Sequence, residues 1–304
     1  MTLRAEAARH YTILQRIKAA AVAVARRQWR QLPADDIVHA YQHQVGPEVL
    51  AGLVLAQLAA ADEADGYVGA VLRKLIGDGG RSRREGRLIP DAFAGVAADG
   101  RPLDTLLYLP VVRTLQLIDS GMPPRSALKV GENMFSQIVA TETTDAGRTA
   151  DGVAIAARPQ LTGYVRMLTP PSCARCVILA GRVYRWSTGF QRHPNCDCIH
   201  IPITEDVPDD LRTDPMAAFN AGQVRGLSQA DEQAIRDGAD INQVVNARRG
   251  MYAAGGKKFT TEGTSRRGRG GRPRIRLRPE QIYREANGNR EEAIRLLRLH
   301  GYIL

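Results

Sequence analysis

The sequence predicts a mainly α protein carrying a small α+β, zinc-ribbon-like unit near its middle. Alanine is abundant and aromatic residues make up only 5% of the chain, a composition that suits helix–helix packing better than a β-sandwich. Long segments of the first half repeat their apolar residues at helical spacing. All 4 cysteines fall within one short segment flanked by stretches of period-two alternation, as short strands would be.

Taken in order, residues 3–32 read as one helix, with Ile13, Ile17, Ala20, Ala21 and Val24 on one side and Arg16, Lys18, Arg26 and Arg27 on others. Pro33-Ala34-Asp35-Asp36 starts the next, with acids where a helix N-terminus favours them. A further apolar helix runs from about Pro47 to Ile76 and stops at Gly77-Asp78-Gly79-Gly80, followed by a basic loop through Arg87. That glycine loop follows a helix and lacks a Gly-Lys-Ser/Thr ending, so it is no phosphate loop. Helices are expected over Pro102–Asp119 and from Pro123 to about Arg148, each with proline in its first turn. Strands are expected over 163–168, 181–186 and 198–203. Helix returns after Pro208, and Ser228 with Asp231 forms a capping pair for a helix ending near Gly238. Pro279–Leu304 reads as two short helices broken at Asn287-Gly288-Asn289.

The expected segments are therefore a helical N-terminal domain (1–120), a core with the cysteine cluster (121–205), a helical extension (206–254), a basic flexible linker (255–278) and a helical tail (279–304). The linker carries Lys257, Lys258, Arg266, Arg267, Arg269, Arg272, Arg274, Arg276 and Arg278 against the single acid Glu262. Such a run should be extended or disordered when free, and it is suited to a polyanion such as DNA, bound without sequence preference. The formal net charge of +10 at pH 7 agrees with a polyanionic partner. No run of about 18 uncharged apolar residues occurs, so no membrane span is expected. Ala19–Ala25 is apolar, but Arg26, Arg27 and Arg30 follow where a signal peptide needs small residues. Folding in a cytosol is the expectation, which makes the cysteines metal ligands or catalytic groups rather than bridges.

The cysteines read Cys173-x2-Cys176, then sixteen residues, then His193-x2-Cys196-x-Cys198. Zinc takes four soft or borderline ligands in a tetrahedron, and a Cys-x2-Cys turn aims two sulfurs at one point. Cys196 and Cys198, two apart in a strand, would share a face. Five candidates compete for four places: Cys173, Cys176 and Cys198, with either Cys196 or His193. Four unligated buried cysteines in two close pairs are uncommon, a Cys173–Cys176 redox pair lacks a thioredoxin-like context, and a Cys196–His193 nucleophile has no visible oxyanion donors. A closed, structural zinc site is the reading preferred. His39 and His43, four apart on one helix, read as a solvated or packed pair, and His200 is expected on the solvent face of its strand.

Gly163-Tyr164-Val165-Arg166-Met167-Leu168, Pro171-Ser172-Cys173-Ala174-Arg175-Cys176, Gly181-Arg182-Val183-Tyr184 and His193-Pro194-Asn195-Cys196-Asp197-Cys198 resemble the C-terminal core of the Mu F-like phage head proteins. The preceding helix, with Thr141-Glu142-Thr143 and Arg148, stands where that family carries a polar Thr-Glu segment. The motif match covers roughly residues 130–205. Segments 234–241, 244–250 and 279–286 resemble the actinobacterial-phage branch, whose members are often named capsid maturation proteases. The resemblance implies a minor capsid (head morphogenesis) protein inside the virion, near the portal. Host cytoplasm would be the place of assembly, with portal, scaffold and major capsid proteins as partners, together with packaged DNA through the basic arm. The enzymatic alternative is a protease that trims scaffold or capsid protein, although no Ser–His–Asp set or HExxH helix can be placed on the residues. A host DNA-binding zinc protein fits less well, since most basic residues lie far beyond the metal cluster.

Overall fold

The computed structural model describes residues 2–77, 82–97, 100–180, 182–187, 198–205, 211, 213–249, 251–260, 276–277 and 279–300. The chain is mainly helical with small sheets, as expected. It divides into two compact units, Met1–Met167 with Val183–Leu211, and Leu168–Arg182 with Arg212–Leu304. This cuts the chain differently from the expected segments: the helix expected to open the cysteine-bearing core packs with the N-terminal helices.

In the first unit, α1 (Leu3–Trp29) begins where the Thr2 hydroxyl accepts from the Ala5 amide. The short α2 (Ile37–Ala40) continues through a π-helical turn, Tyr41–Val45, into α3 (Gly46–Ile76). Residues 37–76 are long and apolar enough to cross a bilayer. Val49, Leu53, Ala60, Ala61, Ala64, Val68 and Leu72 nevertheless lie on a buried face, and α3 packs against α1 and α5. α4 (Leu103–Asp119) and α5 (Pro124–Ala156) complete the helical layer. α5 outruns the expected end at Arg148 because Ala150, Ala154 and Ile155 keep its apolar stripe buried for two more turns.

Two apolar clusters hold this unit. Trp29, Tyr41, Leu53, Leu107, Val111 and Phe135 belong to one. Val68, Leu72, Ala154, Ile155 and the sheet residues Val165, Ile199 and Ile201 belong to the other.

An ion pair network ties α1 to α5. Glu132 accepts from Lys129 and Arg30, each at 2.8 Å, while its own side chain is almost fully covered. Burial pushes the carboxyl up, but the hydrogen bonds and charges of Lys129 and Arg30 outweigh it and hold the group below the usual glutamate value. A lowered folded-state value means stabilisation that is present above the unfolded-state pKa of about 4.3 and lost as pH falls through the lower folded one. The stability gap between wild type and Glu132→Gln is therefore expected to shrink as pH drops from about 5 to about 3. Urea titrations at a series of pH values check this. A constant gap would mean that the carboxylate charge contributes nothing.

The three expected central strands are present: β1 (Gly163–Met167), β3 (Val183–Arg185) and β4 (Ile199–Ile203), antiparallel in the order β3-β1-β4. Every residue of β1 and β4 is buried. His200 therefore departs from its expected surface position: it is 2% exposed, its ring stacked on Tyr164 with centroids 4.1 Å apart.

In the second unit β2 (Ser172–Cys173) pairs in parallel with β5 (Val224–Arg225) and leads into α6 (Ala174–Ala180). α7 (Pro215–Asn220), α8 (Gln229–Arg236) and α9 (Ile241–Asn246) follow, and the expected capping box of Ser228 and Asp231 is formed at α8. The start of the expected flexible linker is ordered. β6 (Met251–Ala254) turns through Gly255-Gly256 into β7 (Lys257–Thr260), which pairs onward with β8 (Arg276–Leu277). Thr260 and Leu277 are buried, which anchors the sheet. Residues 261–275 of the basic run lie outside the described residues. The expected tail helices are α10 (Pro279–Ala286) and α11 (Arg290–Leu299), whose Ile282, Leu296 and Leu297 join Ile178, Ile235, Ile241 and Val244 in one core.

Candidate functional site

Cys173 ends β2 and Cys176 sits in the first turn of α6, so the Cys-x2-Cys pair occupies a strand-to-helix turn rather than a β-hairpin. The Cys176 amide donates to the Cys173 sulfur at 3.3 Å. Cys176 is buried, whereas Cys173 is partly exposed.

Cys198 belongs to the first unit, just before β4. In strand register Arg166 faces His200 across β1 and β4. The two-residue periodicity then places Tyr164, Arg166, Cys198 and His200 on one face of the sheet. Val165, Met167, Ile199 and Ile201 make the opposite, apolar face. Arg166 Nε and Nη2 donate to the Cys198 sulfur at 3.2 and 2.7 Å. From α5, Arg148 Nε donates to the Cys198 carbonyl at 2.7 Å and Nη1 to Asp145 at 3.0 Å. The polar helix segment thus holds the backbone at the last cysteine of the cluster.

His193 and Cys196 lie outside the described residues. Among the described residues, no three His, Cys, Asp or Glu side chains are grouped to hold a metal ion. Of the basic residues singled out, Lys257 and Lys258 are exposed on β7, and Lys257 pairs with Glu285 of α10. Arg276 contributes its backbone to β8, and Arg266, Arg267, Arg269, Arg272, Arg274 and Arg278 lie outside the described residues. His39 is exposed, its ring centroid 4.5 Å from that of His43, as a solvated pair should be.

The sequence reading missed a second polar group beneath the same sheet. His10 of α1 places Nε2 at 3.1 and 3.3 Å from the two Asp151 carboxylate oxygens of α5. A carboxylate only accepts, so the contact uses the tautomer protonated on Nε2. His10 also stacks on Tyr67, with centroids 4.0 Å apart and planes 6° apart. The Tyr67 hydroxyl donates to the His200 carbonyl at 2.7 Å. Burial, then the charges of Asp151 and Glu6, push that phenol well above its ordinary value, so it stays a donor. The one trace of this in the sequence is a histidine between Ala7 and Leu14 on the buried stripe of α1. Comparison with family models, with curated proteins and with solved structures gave no match.

Proposed function

We propose that this chain is a minor capsid, or head morphogenesis, protein of the Mu F-like kind, with a structural zinc site and a place inside the virion near the portal. Portal, scaffold and major capsid proteins are its partners in this reading, and the basic run 257–278 contacts packaged DNA or an acidic surface of those partners. The zinc ligands are those of the sequence motif: Cys173, Cys176 and Cys198, completed by His193 or Cys196.

The observation that supports the reading best is the convergence of motif residues distant in sequence. Arg148 of the polar helix segment and Arg166 of the Gly163–Leu168 motif both donate to Cys198 of the last motif, the first to its carbonyl and the second to its sulfur. The same core suits a structural role for its own polar residues. Its polar groups are 3% exposed or less at His10, Arg148, Asp151, Arg166, Cys198 and His200. A polypeptide substrate cannot reach groups covered to that degree.

The test is co-expression of the full chain with the neighbouring scaffold and capsid proteins, followed by intact and native mass spectrometry. The expected result is one zinc per chain and uncut partners. Cys176→Ser and Cys198→Ser are each expected to lose the metal together with the folded protein, because metal affinity is folding free energy in such a site. A stable, metal-free Cys198→Ser protein would remove the structural-zinc claim. Partner cleavage abolished by a single substitution in a protein that still folds would establish the protease instead.

A further inference from the structure

The first unit holds a solvent-open cleft of about 530 Å³ between the π-helical turn and the start of α4. Its size falls within the range of ligand-binding pockets. Tyr41, Tyr108, Pro47 and Leu50 supply much of its wall, and Asp104 is the one charged residue among the described lining residues. Two features show that the wall is built to a fixed shape. The Tyr41 hydroxyl donates to the Leu107 carbonyl at 2.7 Å. A Cβ at Gly46 would stand 2.9 Å from the Tyr41 carbonyl oxygen and 3.0 Å from its ring, so the ring lies directly on the glycine. The π-turn that allows this is an uncommon element, found disproportionately where a site is being shaped.

The rings of Tyr41 and Tyr108 meet edge to face, 5.6 Å apart at 63°, so they form two walls of a corner rather than a stack. Tyr41 is itself buried, so the partly exposed Tyr108 is the ring that offers a negative face to a cation, with Tyr41 packed against it. Asp104 adds a full negative charge beside them. Its Oδ1 accepts from the Thr105 amide and hydroxyl. The Tyr41 phenol is pushed upward by burial and then by Tyr108 and Asp104, so the acid's field reaches the cleft floor.

We propose that this cleft receives an arginine side chain of a partner protein, flanked there by apolar residues. A guanidinium is planar, stacks on tyrosine and forks onto a carboxylate, which suits the Tyr108 ring and one acid better than a lysine ammonium does. The flanking residues are apolar because Pro47, Leu50 and Leu107 line the remainder. The inference does not depend on the head-protein reading.

The test uses the full chain and an acetylated, amidated pentapeptide with arginine at its centre between two leucines and alanine at each end. Binding is followed by calorimetry and by tyrosine NMR signals. Citrulline in place of arginine keeps the shape and removes the charge. It should weaken binding at least about tenfold, Asp104→Asn should weaken it by less, and the two changes together should cost no more than citrulline alone. Asp104 is exposed, so the variant is expected to melt with the wild type, which circular dichroism checks. Equal binding of the arginine and citrulline peptides would overturn the proposal, as would no binding of either. Free arginine amide binding as tightly as the pentapeptide would overturn the protein partner and assign the cleft to a small guanidinium ligand.

Discussion

Gly131→Ala is expected to destabilise the first unit by about 2 kcal/mol, although alanine is the better helix former. Gly131 lies inside α5, where an added Cβ would stand 2.2 Å from Thr114 Oγ1 and 2.4 Å from Trp29 Cζ2. Neither neighbour yields easily. The Thr114 hydroxyl donates to the Pro110 carbonyl at 2.8 Å, and the Trp29 indole donates to the Leu128 carbonyl at 2.9 Å. Thr114 and Trp29 are both fully or nearly fully buried. Helix propensity favours the substitution by about 1 kcal/mol, while forcing a methyl into a packed contact costs roughly 3 kcal/mol, so the steric cost wins. Gly152 of the same helix is the control, since nothing lies within 4 Å of its Cβ position. There the same change should stabilise by about 0.5–1 kcal/mol. Both tryptophans belong to the first unit, so urea unfolding followed by tryptophan fluorescence reports the right event. Equal shifts at the two glycines would refute the close approach of α1, α4 and α5.

Asp151→Ala should cost more, about 3–4 kcal/mol. The carboxylate is fully buried and bonded to His10 Nε2, while His10 Nδ1 has no hydrogen-bond partner among the described residues. Removing the acid leaves an imidazole sealed in the core with neither nitrogen satisfied, which is the expensive way to break a buried polar pair. Replacing both, as His10→Leu with Asp151→Ala, should recover much of the loss, because no polar group is then stranded. A double-mutant cycle in urea measures this coupling. An Asp151→Ala protein within about 0.5 kcal/mol of wild type would mean that the pair contributes little. The pair also positions Tyr67, and through it the backbone of β4 at His200, so the double variant is expected to retain α-helix while loosening that strand.

Local pattern made much of this protein legible. Apolar residues at helical spacing marked α1, α3, α4 and α5. Period-two alternation marked β1, β3 and β4, and Ser228 with Asp231 marked the start of α8. Each of these is written within a few consecutive residues, because hydrogen bonding within a turn and the facing of side chains depend on near neighbours. The spacing of Cys173, Cys176, His193, Cys196 and Cys198 likewise made a metal the natural hypothesis from residue types alone.

Alternation also misled, and His200 shows how. It correctly set His200 on the face opposite Ile199 and Ile201. It carried no information on whether a second layer covers that face. Only the tertiary structure decided that the polar face is buried, with the Cys198 and His200 carbonyls accepting from Arg148 of α5 and Tyr67 of α3. The His10–Asp151 pair spans 141 residues and the Trp29–Gly131 contact brings together two helices, so neither leaves a periodic trace. The basic run after Gly255 read as a linker because charge and glycine disfavour a core. Pairing with β6, and the burial of Thr260 and Leu277, nevertheless draw its ends into a sheet. Residue order determined the helices, the strands and the candidate ligands. Long-range packing decided which polar groups are sealed in and which remain open to a partner, because burial is a property of the layers around a residue and not of its neighbours in the chain.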